Sequence, residues 1–122
     1  MTTEKRRDAQ RLEDMLKAVR DIEQETADLT RDQYASNATL QKAVAYDIMI
    51  LGDAAAKMSQ RTQKANTFVN WKALADYRNA ADGPAHGYYD IDLAGTWEFV
   101  RDRVPELATK LRKVKVAPGP EA

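Results

Sequence analysis

The segment AVAYDIMILGDAAAKM, residues 43–58, carries the clearest structural signal in this chain. Large apolar residues recur here, and just before it, at steps of three and four positions, the period of an amphipathic α-helix. This stripe consists of Leu40, Val44, Ile48, Leu51, Ala55 and Met58. Gly52 interrupts the helix interior, where glycine costs roughly 1 kcal/mol relative to alanine. We therefore expect a second helix to approach closely at Gly52.

Upstream of this segment, a similar apolar period predicts a helix over about residues 5–26. Thr30 and Asn37 are candidate N-caps for the helices that follow, because their side-chain oxygens can accept hydrogen bonds from free backbone amides.

Downstream, Asn70 is placed to cap a helix that begins at Trp71, and Asp92 to cap a later one. Pro105 is expected to interrupt that later helix, because proline lacks a backbone donor and clashes with the preceding turn. No extended alternating pattern indicates a strand. The sequence therefore predicts an all-α fold, a bundle of four to five helices.

Composition sets limits on organisation and function. The chain has 122 residues, so we expect one domain over residues 1–116 and a flexible tail over 117–122. With no cysteine and one histidine, it lacks the residues for disulfides, thiolate metal sites or a multi-histidine zinc site. There is no apolar run of membrane-spanning length, and the polar first residues do not resemble a signal peptide, so we expect a cytoplasmic protein without membrane contact.

The chemically informative stretch is YRNAADGPAHGYYDID, residues 77–92, which holds the only histidine. His86 can exchange a proton near neutral pH. The guanidinium of Arg78 can form paired hydrogen bonds to phosphate oxygens. The two types of side chain suit RNA cleavage, because RNA supplies its own attacking 2′-hydroxyl and needs neither a metal nor a protein nucleophile. A structural role for Arg78, paired with Asp76, Asp82 or an upstream acid, remains an alternative.

Three motifs, in this order, resemble those of the HEPN ribonucleases and, more narrowly, the HepT toxin group. They are the apolar run into Gly52-Asp53-Ala54, Arg78-Asn79 followed by His86-Gly87-Tyr88, and Val104-Pro105-Glu106-Leu107. The resemblance covers about residues 10–114. It implies a HEPN-type helical bundle that forms a homodimer and cuts RNA at a cleft between paired motifs, with no metal or other cofactor.

The resemblance also implies a role for each residue. Arg78 would bind the phosphate, His86 would act as the acid/base group, and Asn79 would support them. Tyr88 would accept AMP from a nucleotidyltransferase antitoxin of the MntA type, which silences the toxin. Tyr89 is the alternative acceptor.

Seven residues separate Arg78 from His86, more than the family usually has. We align the arginine by placing an insertion around residues 81–84, where Gly83-Pro84 breaks the helix. A second hypothesis is therefore a catalytically weak HEPN scaffold that keeps partner binding, and a third is a plain helical interaction module.

Two further features have a structural interpretation beside a functional one. Trp71 and Trp97 are expected to be core or dimer-interface anchors. The basic cluster near the end of the chain suits a solvated helix C-terminus, and RNA contact is its alternative role. This cluster consists of Lys110, Arg112, Lys113 and Lys115.

Overall fold

Helices account for most of the chain that the structure describes. This structure, a computed structural model, describes residues 3–80 and 93–120. The helices are α1 (Thr3–Thr26), α2 (Arg31–Ala35), α3 (Ala38–Lys57), α4 (Gln60–Ala65), α5 (Trp71–Ala80), α6 (Leu93–Glu98) and α7 (Val104–Leu111). A π-helical turn, Phe99–Arg103, joins α6 to α7 without a break. Within these two ranges there is no strand, and the predicted all-α fold is confirmed. The four long segments are α1, α3, α5 and the continuous run from α6 to α7, and the short helices α2 and α4 lie between them.

Helix α3 forms the centre of the bundle, with α1 and α5 packed against it. The predicted apolar stripe is its buried face, and Val44, Leu51 and Ala55 are completely inaccessible to solvent. Met15, Val19 and Ile22 of α1 fill the space on one side of this stripe. The end of α7 closes the core through Leu111. Burial of these large side chains is the main stabilising contribution to the fold.

Side-chain caps begin three of the helices where the sequence indicates them. Thr30 forms a capping box at α2: its hydroxyl accepts from the Gln33 amide at 3.1 Å, and its own amide donates to Gln33 Oε1 at 2.9 Å. Asn37 accepts from the Leu40 amide at 3.0 Å, and Asn70 from the Ala73 amide at 3.1 Å. The predicted cap Asp92 lies outside the described residues.

The prediction that Pro105 interrupts the last helix is wrong. Helical structure continues from α6 through the π-helical turn into α7, and Pro105 lies in the first turn of α7. Proline is tolerated there, because the amides of a first turn have no partner within their own helix. The irregularity is the π-helical turn, which precedes the proline.

A buried polar network holds together the end of the bundle where α1 begins and α3 ends. Asp8, 2% exposed, accepts hydrogen bonds from the Ser59 amide at 3.0 Å and from the hydroxyls of Ser59 and Thr62 at 2.5 Å. The Asn66 side chain bonds both backbone groups of Lys115. The Ala117 amide donates to Thr62 Oγ1 at 3.0 Å. These bonds place α4 and the segment after α7 beside the start of α1.

None of the helices described here combines the length and the apolar character needed to cross a bilayer.

Candidate functional site

Arg78 lies near the end of α5, and the start of that helix is firmly anchored. Trp71 is buried, and its indole Nε1 donates to the backbone oxygen of Asn66 at 2.9 Å. The Asn70 cap described above fixes the first turn. Leu74 is buried one turn later. The anchored start of α5 thus determines where Arg78 lies at the surface. Trp71 is a core residue, one of the two roles that the sequence predicts for it.

The position of Arg78 also depends on Gly52, where α5 crosses α3. A Cβ atom at residue 52 would lie 2.9 Å from the Leu74 carbonyl oxygen and 3.0 Å from the Tyr77 carbonyl carbon, and would collide with the Arg78 amide nitrogen. All three are backbone atoms, so a change of rotamer cannot relieve the contact. The predicted close helix approach at Gly52 is confirmed, and the residue it brings close is Arg78.

The Arg78 side chain is exposed at a cleft of about 780 Å³ between α1 and α3. Three apolar side chains, Tyr46, Met49 and Ile50, share this cleft with Arg78, and Tyr46 is 60% exposed. The charged residues lining it are Arg11, Lys17 and Arg78 against Asp14, Asp21, Asp47 and Asp53. The described lining therefore has no net positive charge.

Arg78 has no carboxylate within 4 Å among the residues that the structure describes. Asp76, two positions away, does not pair with it, and Asp82 lies outside the described residues. Nearby charges pair elsewhere, as Lys17 does with Asp21 at 2.8 Å. Among the described residues, none competes with an anionic ligand for the guanidinium.

Asp47 is an acid on the buried side of the cleft, with 6% of its surface exposed. Its Oδ2 and the Oε2 of Glu25 are buried without a hydrogen-bond donor when both carboxyl groups are ionised. Burial, followed by the charge of Glu25, a hydrogen bond to Glu25 and the charge of Asp21, raises the pKa of Asp47 to about 7. A proton on Asp47 supplies the missing donor between the two carboxyl groups.

The other predicted site residues are not placed against Arg78. Asn79 belongs to α5, but its side chain is not among those described. His86, Tyr88 and Tyr89 lie outside the described residues. The structure therefore locates Arg78, and the roles of the other residues stay predictions.

Sequence reasoning missed the acidic side of the cleft. Asp47 stands inside the most apolar run of the chain, directly before Ile48, and a carboxylate at such a place is a detectable signal of unusual burial. Its partner Glu25 gave no signal, because nothing in the local sequence shows that the end of α1 lies opposite Asp47.

The helical fold and the placement of Arg78 agree with a family match over most of the chain. Residues 15–114 match the family described as ribonuclease HepT-like. The protein is thus a HEPN-domain protein of the ribonuclease class. Within that class, the chain belongs to the HepT-like ribonuclease family, as the sequence motifs predict.

Curated relatives cover four fifths or more of this chain. A Thermococcus cleftensis protein named "Probable ribonuclease HepT" is 25% identical, over 85% of this chain and 92% of its own length. A Methanocaldococcus jannaschii protein named "Gamma-glutamylcyclotransferase and putative RNase" is 29% identical over 84% of this chain, but the match spans only 45% of that longer relative. Another protein of that organism, named "Putative RNase", is 27% identical over 84% of this chain and 83% of its own length. No solved structure matches the chain.

Proposed function

We propose that this chain is the toxin of a toxin–antitoxin pair, an endoribonuclease that cuts RNA without a metal ion. The observation that carries the proposal is Arg78: its guanidinium, without a carboxylate partner in the described part of the chain, is positioned by the Gly52 crossing and opens onto a cleft. A positioned guanidinium stabilises the negative charge that develops on a phosphate during transfer. Membership of the HepT-like family supports RNA as the substrate.

The proposed reaction uses the 2′-hydroxyl of the RNA as the nucleophile. Its oxygen attacks the adjacent phosphorus, its proton passes to a base, and the 5′-oxygen of the next nucleotide leaves with a proton. The products are a 2′,3′-cyclic phosphate and a 5′-hydroxyl. His86 exchanges the proton, Arg78 stabilises the phosphate charge, and Asn79 supports them.

Two copies of the chain complete the proposed site. One protomer offers a single Arg78–His86 motif, whereas two facing protomers would enclose the RNA between paired motifs. The exposed Tyr46 ring beside Met49 and Ile50 offers apolar surface for such pairing. A dimer mass at micromolar concentration is expected, and a strictly monomeric mass would contradict this part of the proposal.

Regulation is proposed to occur at Tyr88, by AMP transfer from a nucleotidyltransferase antitoxin. The added phosphate would place negative charge and bulk where RNA phosphate must bind. Radiolabelled ATP with the cognate transferase should label the wild type and Tyr89→Phe, but not Tyr88→Phe. Labelling that survives Tyr88→Phe would move the acceptor or remove the step.

The catalytic proposal is tested by cleavage of RNA in the presence of EDTA, with the cyclic-phosphate ends scored. Loss of an acid/base group typically costs 10²- to 10⁴-fold in rate, and we expect His86→Ala and Arg78→Ala to lose at least about 10²-fold. Lys42→Ala, at an exposed cation outside the cleft, is the matched control and should cut like the wild type. Cleavage that is lost in EDTA, or that persists in both site variants, contradicts the proposal.

A catalytically weak scaffold is the second candidate. Two observations favour it: the seven-residue spacing between Arg78 and His86, and the lack of net positive charge in the described lining around Arg78, which gives a polyanion no general attraction. Deleting residues 81–83 distinguishes the two. Restored spacing should raise cleavage in a weakened enzyme, whereas it should lower cleavage if the natural loop is already productive.

A further inference from the structure

Charge is distributed very unevenly along this chain, although it carries 19 basic and 19 acidic residues. Residues 54–75 contain no Asp or Glu but four cations, and residues 107–120 likewise contain no Asp or Glu and four cations. Hydrogen bonds join the two segments in the fold: Asn66 to Lys115, and Thr62 to Ala117. The zero net charge therefore conceals a basic region, which we call the basic end. Four of its eight cations pair with carboxylates from outside the two segments, namely Lys57, Arg61, Lys110 and Arg112.

The basic end contains an open groove of about 500 Å³. Lys64, Lys72 and Lys110 line it, and no carboxylate does so among the residues that the structure describes. Lys64 and Lys72 are exposed and form no ion pair there, whereas Lys110 pairs with Glu106 at 2.8 Å in an exposed bridge that costs little to open. This groove thus attracts anions, unlike the cleft at Arg78.

One aromatic ring and several amides accompany these cations. Phe68, in the loop before α5, is 43% exposed and lines the groove. The amide side chains of Gln60, Gln63 and Asn70 line it as well. A solvent-facing ring on which a base can stack, next to cations that track the phosphates, is the usual arrangement of proteins that bind single strands without strong sequence preference.

We infer that this groove is a second RNA-binding surface, which holds a single-stranded segment by stacking a base on Phe68 and contacting phosphates through Lys64 and Lys72. A membrane surface fits less well, because interfacial binding requires a broad apolar face, and the groove offers one exposed ring among polar groups. The inference rests on the proposed ribonuclease function for its choice of RNA as the polyanion.

The groove and the Arg78 cleft share one rigid element. Lys72 and Arg78 both belong to α5 and lie roughly 9 Å apart along its axis. They occupy different faces of the helix, so a strand held by both would cross α5. The groove would then contribute affinity for RNA that the Arg78 cleft lacks, because the described lining of that cleft has no net positive charge.

The test measures fluorescence anisotropy of a short fluorescein-labelled polyuridine strand, with His86→Ala as the parent so that the RNA stays intact. Removing two phosphate contacts with Lys64→Ala/Lys72→Ala should lower the slope of log affinity against log salt by about 1.4. Arg31→Ala/Lys42→Ala removes the same charge from exposed positions outside the groove, and should leave the slope unchanged. Equal changes of the salt slope in the two double variants would show that the strand responds to the total charge of the protein and not to the groove, and would overturn the inference.

Phe68 is tested by a pair of substitutions that both keep an apolar contact. Phe68→Leu removes the aromatic face and should weaken binding at least about fivefold, whereas Phe68→Trp should retain it. Equal affinities for the two variants would contradict stacking. Binding of wild type to phosphatidylcholine–phosphatidylserine vesicles, without binding to the strand, would reassign the groove to a membrane surface.

The inference and the proposed function can fail separately. If the wild type cleaves RNA while the groove variants bind like their parent, the second surface is wrong and the ribonuclease stands. If the wild type does not cleave, yet binding depends on Phe68, Lys64 and Lys72, the groove stands and the ribonuclease is wrong.

Discussion

The Arg78 cleft and the basic end differ in how their charges are arranged. In the cleft, cations and carboxylates are mixed, and Asp47 is buried without a hydrogen-bond donor from the described residues. Beside the basic end, the buried carboxylate of Asp8 in α1 is fully hydrogen-bonded, and the described groove lining is cationic. Under the two proposals above, the basic end would attract the strand and the cleft would act on it.

The comparison also shows two ways of burying an acid. Asp8 receives three donors from Ser59 and Thr62, so burial of its charge is compensated. Asp47 is buried with Glu25 opposite it, so its charge is penalised and the pKa of its carboxyl group rises to about 7. The Asp8 network therefore stabilises the fold, whereas the Asp47 pair makes the cleft responsive to pH.

The largest expected effect comes from Asp8→Ala, which tests whether the basic end depends on its buried network. The change leaves the Ser59 and Thr62 donors without their acceptor, and hydrogen bonds to charged groups contribute about 1.5–3 kcal/mol each. We expect the free energy of unfolding, measured in urea, to fall by about 3 kcal/mol or more. Hydrogen exchange should show α4 and residues 114–117 opening first.

Asp14→Ala is the matched control, because Asp14 lines the cleft and its hydrogen bond to Gln10 is exposed. We expect a change within about 0.5 kcal/mol. If Asp14→Ala lowers the free energy of unfolding as much as Asp8→Ala does, the carboxylates of the cleft and of the buried Asp8 network do not differ in how much they stabilise the fold.

Gly52→Ala is expected to have the next largest effect on the free energy of unfolding. The sign of the change distinguishes a gain in helix propensity from a clash where α5 crosses α3. Helix propensity alone predicts stabilisation by about 1 kcal/mol. The new Cβ would instead meet backbone atoms of Leu74, Tyr77 and Arg78, so we expect destabilisation by about 1–3 kcal/mol in urea. Cleavage should also fall, because α5 must move and carry Arg78 with it. A more stable variant would show that the crossing is loose.

Local patterns were sufficient to predict much of the scaffold. The three- and four-residue period of α3, the caps at Thr30, Asn37 and Asn70, and the close approach at Gly52 each depend on interactions within a few residues or on one packing requirement. All of these predictions are confirmed. The π-helical turn before Pro105 was not predicted, because the sequence shows where a proline stands but not how the preceding turn adjusts.

Features that depend on distant polar contacts could not be predicted in the same way. Thr62 of helix α4 is buried, and its hydrogen-bond partner Asp8 lies near the start of α1, 54 positions earlier in the chain. The basic end likewise forms only because α4 and the segment after α7 meet in the fold. The motif around His86 and Tyr88 was visible in the sequence, but its geometry depends on residues 81–92, which lie outside the part of the chain that the structure describes.

The smallest expected effect is a dependence of stability on pH that belongs to Asp47. Its pKa is raised from 3.8 to about 7 in the folded chain, so between about pH 4 and 7 the folded state holds a proton that the unfolded state has lost. The contribution of this carboxyl group to stability is therefore greatest below pH 4 and is lost as the pH rises through 7. Asp47→Asn keeps the shape and a hydrogen-bond donor, so it should be more stable than the wild type by about 1–2 kcal/mol at pH 8.

The gain from Asp47→Asn should shrink as the pH is lowered towards 4, where the folded carboxyl group is fully protonated and the unfolded one begins to take up its proton. Urea denaturation of both proteins at pH 4, 6 and 8 measures this. Asp53→Asn serves as the control, because Asp53 is on the same helix and lines the same cleft, but forms an exposed pair with Lys57 at 2.9 Å. If Asp47→Asn destabilises at pH 8, or follows the pH profile of Asp53→Asn, the pKa of Asp47 is not raised by its burial, and Asp47 and Asp8 are buried in the same way.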